Sequence, residues 1–167
     1  ARIGNTSITA LEVANALAIY FSEHCRGQFK DRYITFSENP RFVDFSGAKN
    51  LIDKYSIARS HNEVANTNIK AVFDLILHTA IESGMHQEDI PANILIISDM
   101  EFDSCAVMEA GNGWLRSRDT SPNKTLFAQI QNAYMAVGYK LPRIIFWNVN
   151  SRTATIPLRE NDLGVAL

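Results

Sequence analysis

The chain has 167 residues, of which 46% are apolar, 20% charged and 10% aromatic, the balance of one globular domain that buries a continuous core rather than a disordered or fibrous protein. Its net charge of −2 gives no general attraction to nucleic acid, and local basic clusters such as Arg116, Arg118 and Lys124 are sparse, so DNA is not an expected partner. The longest apolar runs, ILII at 94–97 and IIFW at 144–147, are far short of a membrane span, and Cys25 and Cys105 show no CxxC or metal-finger spacing; these features, and the lack of a signal-like start, point to a reduced, cytoplasmic protein.

In chain order, residues 9–26 read as a first helix. Thr9 and Glu12 have capping-box spacing, Leu11, Ala14, Leu17, Ala18 and Phe21 recur on one face, and Gly27 stands where a left-handed cap belongs. RYITFS (32–37) and RFVDFS (41–46) are predicted strands, the second an edge strand on which Asp44 is a solvated charge. Leu51, Ile52 and Tyr55 predict a short helix to about residue 58. The polar RSHNEVANTN (59–68) leads into a strong helix with Ile69, Val72, Phe73, Ile76, Leu77, Ala80 and Ile81 on one face, ended by Gly84. NILIIS (93–98) is nearly all apolar, as a central parallel strand buried on both faces would be. SCAVMEA reads as a helical turn and 111–123 as loop. Residues 124–137 predict a helix facing inward through Leu126, Ile130, Ala133, Tyr134 and Val137, with Gly138 closing it. RIIFWNV (143–149) is a second all-apolar strand, which makes Trp147 a core residue, and GVAL (164–167) starts a third.

Strands alternating with helices predict an α/β fold with helices on both faces of a mostly parallel sheet, in a single domain over 1–167. Ligands of such sheets lie outside the carboxyl ends of the strands. That is where SDMEFD follows the greasy NILII, and a carboxylate ending a buried strand is costly unless something pairs with it.

The order of elements, ANTN opening a helix and a strand ending in SDMEFD resemble a von Willebrand factor A-like domain. YKLPRIIFWNV followed by GVAL more narrowly resembles the von Willebrand-like C-terminal half of an uncharacterised family found in cells and viruses, itself similar to that half of TROVE (Ro-type) proteins. The likeness runs from Thr9 nearly to the end. It implies a Rossmann-like three-layer α/β/α sandwich and a metal-ion-dependent adhesion site built from a DxSxS segment after the first strand, a threonine in a second loop and an aspartate after the fourth strand. On this chain the threonine is Thr67 and the aspartate Asp99, with Ser98, Glu101, Asp103, Asn66 and Ser7 as candidates to line the rim or support these ligands from behind. Mg²⁺, or Mn²⁺ or Ca²⁺, is the implied cofactor, since hard cations take oxygen ligands, and a carboxyl group on a protein partner would fill its open position. DxSxS does not occur in these 167 residues. The central first strand that would carry it is therefore expected from upstream, the chain being a C-terminal piece of a longer protein, or else the site is degenerate with Ser7 or Thr6 as substitute hydroxyls.

Each candidate has a plainer reading. Asp99 could cap the turn after it, Thr67 or Asn66 could be the N-cap of the next helix, and Glu101 and Asp103 could be solvated acids at a helix start. Among the histidines, His24 suits a helix C-terminus, His78 lies within a helix, and His61 alone falls in the polar loop before Thr67. No GxSxG, Walker A or GxGxxG pattern is present, so no enzyme is expected. The leading expectation is a metal-dependent protein-binding module. An RNA-binding component, by analogy with TROVE proteins, comes second, and a metal-assisted hydrolase using Asp99, Glu101 and Asp103 third.

Overall fold

The computed structural model describes residues 6–35, 37–62, 68–98, 122–149 and 165–166. The first helix, α1 (Ala10–His24), starts on the predicted capping box. Thr9 accepts the Glu12 N–H, and the Glu12 carboxylate takes the Thr9 N–H at 2.7 Å, bonds that hold the Glu12 carboxyl below its ordinary pKa. The helix stops two residues earlier than expected, at an extended Cys25, and Gly27 (φ 56°) opens a 3-10 turn, Gly27–Phe29, instead of capping α1.

Asp31, at φ 55°, turns the chain into a two-stranded antiparallel hairpin of β1 (Arg32–Ile34) and β2 (Phe42–Asp44). Both strands are shorter than predicted, although the Thr35 N–H still reaches the Arg41 carbonyl at 3.0 Å. The cross-strand pair Arg32–Asp44 closes at 2.7 Å, and Asp44 also accepts the Ser46 N–H. The Ser46 hydrogen bonds, then Arg32, push the Asp44 carboxyl down to about 2, so this edge charge is paired as well as solvated.

Helix α2 (Leu51–Ser60) is capped by Asn50, and of its expected apolar face only Tyr55 packs inward. Leu51 and Ile52 are 67% and 76% exposed, and the helix packs instead through Ala58, Tyr55 and Ile57 on Val43, Phe45 and Ile19. Lys54 explains the rotation: its ammonium bonds Glu23 of α1 at 2.8 Å and Asp31 at 3.3 Å, which ties α2 to α1 and to the hairpin's entry turn.

Helix α3 (Ile69–Glu82) buries Val72, Phe73, Ile76, Leu77 and Ala80 as predicted, leaves Ile81 exposed, and ends before Gly84 at φ 57°. Strand β3 (Asn93–Ser98) follows, then α4 (Pro122–Ala136), β4 (Arg143–Asn148) and β5 (Val165–Ala166). These strands form a parallel sheet in the order β3-β4-β5, with Ile94 opposite Ile144 and Ile96 opposite Phe146. Among the described residues β3 is therefore an edge strand rather than a central one, and only its Ile96 is fully buried.

Ile94, Ile96, Ile144 and Phe146 face α3 and α4 in one apolar cluster with Phe73, Leu77, Phe127, Ile130 and Tyr134. Phe127 is buried in this cluster, whereas Val137, expected on the inner face, is 47% exposed. By alternation Leu95, Ile97, Ile145 and Trp147 point to the other face, where α1 packs and Phe21 meets Trp147 edge-on at 6.1 Å. Trp147 stays 44% exposed rather than in the core.

Two consequences are measurable. Tyr134, 1% exposed, donates its hydroxyl to the Phe73 carbonyl at 2.9 Å, so Tyr134→Phe loses about 1 kcal/mol in urea melts, the net value of one buried hydrogen bond. Asp44 titrates below its unfolded range. Its contribution is present above pH 4 and disappears as pH falls through about 2. Asp44→Asn, at a side chain 38% exposed, should destabilise by no more than about 1 kcal/mol at pH 7, with the gap closing in acid.

Candidate cation site at the carboxyl edge

The ends of the parallel sheet are chemically different, and the loops define which end is which. The segments following α3 and α4 meet: Tyr139 donates to the Met85 carbonyl at 2.7 Å, the Lys140 N–H to the Gln87 side chain at 2.6 Å, and the Arg143 N–H to the Ala92 carbonyl at 2.9 Å. These bonds lie just ahead of Asn93 and Arg143, where β3 and β4 begin. Both helices thus run antiparallel to the strands, and the first turn of α3 stands at the end where β3 finishes in Ser98.

The hairpin joins the same end. Phe29, before β1, packs in the cluster of Ala80, Met85 and Ile90 at the strands' starting edge. Eight residues on, the Ser37 carbonyl accepts the Asn68 N–H at 3.2 Å. Strand β1 therefore runs parallel to β3, and Ser37, Asn68 and Ser98 are gathered at one edge.

Asn68 is the N-cap of α3: its side-chain oxygen accepts the Ala71 N–H at 3.0 Å. The capping role for which Thr67 and Asn66 were the plainer candidates therefore falls to Asn68. Thr67, Asn66, Asp99, Glu101 and Asp103 lie outside the described residues, as do SCAVMEA and 111–121. Their described neighbours Asn68 and Ser98 share one edge. Ser7 is exposed, two residues before the Thr9 cap, and no hydrogen bond joins it to Ser37 or Asn68.

His61 has a structural role. Its Nδ1 lies 2.9 Å from the Ile57 carbonyl and 3.1 Å from the Ser60 hydroxyl, at the C-cap of α2. His24 Nδ1 similarly meets the Tyr20 carbonyl at 2.8 Å. Burial, then Asp31, pushes the Cys25 thiol up, away from thiolate chemistry. Among the described residues no group of three His, Cys, Asp or Glu could hold a metal ion, and no helix is long and apolar enough to cross a membrane.

The residue that pattern reading missed is Ser37. It is 1% exposed, and its hydroxyl has no hydrogen-bond partner among the described residues. In TFSENP it looks like an ordinary turn serine, and no sequence signal marks its burial.

The chain is 30% identical over 158 residues to an uncharacterized protein of Acanthamoeba polyphaga mimivirus, a match covering 94% of this chain and 25% of the viral protein. The chain thus spans about a quarter of the length of that relative. No solved structure matches. Residues 2–167 match the family described as Domain of unknown function (DUF7788), and the chain belongs to that family.

Proposed function

We propose that this chain is a metal-ion-dependent binding module of von Willebrand factor A type, in which Asp99 and Thr67 hold Mg²⁺ at the carboxyl edge of the sheet and the ion takes a carboxylate from a protein partner. The observation that carries this reading is the convergence of Asn68 and Ser98 on one edge, because these are the chain neighbours of the two proposed ligands. The donor set fits the ion: one carboxylate and one hydroxyl are hard oxygen ligands, and Mg²⁺ keeps water or a partner's oxygen in its remaining positions. When bound, the ion supplies positive charge that offsets the cost of a carboxylate at the tip of an apolar strand.

The sheet edges support the finer fold. Among the described residues β1 is paired only with β2, and β3 only with β4. Yet Ile34 of β1 and Ile94 of β3 pack against the same cluster of α3, and α1 packs against both strands. Two parallel strands with open edges over one core are what a three-layer sandwich leaves when its central strand is taken out. A strand there would run parallel to both and finish at the proposed site.

Thermal melts in Mg²⁺ or Mn²⁺ test the proposal. Metal at a hundred times its Kd should add about 2.7 kcal/mol to stability, and Asp99→Ala should abolish that gain. A folded wild-type protein whose melting is indifferent to both ions would overturn the reading.

A further inference from the structure

We infer that the hydroxyl of Ser37 is a further oxygen donor of this cation site, an inference that rests on the reading just proposed. A buried hydroxyl ordinarily finds a hydrogen-bond partner, because leaving it unpaired forfeits its bonds to water. The hairpin makes the contrast internally. Thr35, two residues earlier and also buried, accepts the Arg41 N–H at 3.0 Å, whereas the Ser37 hydroxyl is the only buried side-chain polar atom without a partner among the described residues.

Its position is fixed. The Ser37 carbonyl holds the N–H of Asn68, which places the residue against the first turn of α3, next to the one that follows Thr67. Asn68 closes the helix with its own side chain, so capping does not need Ser37. A serine hydroxyl offers two lone pairs. A divalent cation that takes six or more oxygens accepts one such neutral donor without requiring it to lose its proton. A hard cation beside Asn68 would satisfy the hydroxyl, and a hydroxyl on the hairpin would link the ion to an element that neither Thr67 nor Asp99 belongs to.

The experiment compares wild type, Ser37→Ala and Ser37→Thr by Mn²⁺ titration, reading free Mn²⁺ by electron paramagnetic resonance and the metal-free melting temperature in parallel. In Ser37→Ala the metal-free protein should melt at or above the wild-type temperature, because no bond is lost, while its Mn²⁺ Kd weakens about tenfold. Ser37→Thr, which keeps the hydroxyl, should recover most of that affinity. Wild-type affinity in Ser37→Ala overturns the role of Ser37 and leaves the cation site standing. A metal-free Ser37→Ala protein that melts well below wild type also overturns it, since the hydroxyl then has a structural bond. A wild-type protein that binds no Mn²⁺ overturns the cation site and this inference together.

Discussion

The parallel pairing of β3 with β4 is the constraint from which the rest of the architecture follows. Six residues of each strand run in register in the same direction, so no tight turn can join them and the chain must return over the sheet before β4 begins. Helix α4 makes that return, and α3 lies beside it on the same face, with Phe73 edge-on to both Phe127 and Tyr134. Because both helices run against the strands, their C-terminal segments meet at the starting edge. There Tyr139, Gln87 and Ala92 bond the two returns together. One end of the sheet is stitched shut in this way, and polar chemistry is left to the other.

Where a local signal and the tertiary environment agree, the elements were legible. The Thr9–Glu12 box starts α1, the spacing of Val72, Phe73, Ile76, Leu77 and Ala80 fixes the buried face of α3, and the unbroken apolar runs of β3 and β4 announce parallel pairing. The misses are competitions that a linear pattern cannot rank. Leu51, Ile52 and Tyr55 suggest one face of α2, but only Tyr55 packs inward, while the Lys54 bonds to Glu23 and Asp31 hold the helix with Leu51 and Ile52 outward. Val137 continues the periodicity of α4, but that helix ends at Ala136 and Val137 is left exposed. Trp147 has a core residue's composition and a strand's context, yet lies on the face covered by α1 alone among the described helices.

The site divides similarly. An acidic tip on an apolar strand is visible in the letters, because burial of the strand and the cost of the charge are both properties of composition. The polar stretch before α3 is visible too, but not which of its residues caps the helix. Asn66, Thr67 and Asn68 all have the required chemistry, and only the bond from Asn68 to the Ala71 N–H assigns the role. Ser37 was invisible for a deeper reason. A serine between Phe36 and Glu38, just ahead of Asn39-Pro40, is the composition of a surface turn, and its burial depends on what the rest of the chain places over it.

An ion at the proposed site would be thermodynamically coupled to pairing along the sheet edges. Strands β1 and β3 pack against the same cluster of α3, and α1 packs against both, so their separation is restrained from the two helix layers. A cation bridging Ser37 on the hairpin and Asp99 beyond β3 would restrain it at the carboxyl edge. Whatever backbone pairs between the strands would in turn draw those two donors to a fixed spacing. Reciprocity follows: if metal binding favours pairing by some factor, pairing favours metal binding by the same factor. An ion that binds weakly when the edges are open should therefore bind more tightly once they are filled, with no new ligand needed to explain the gain.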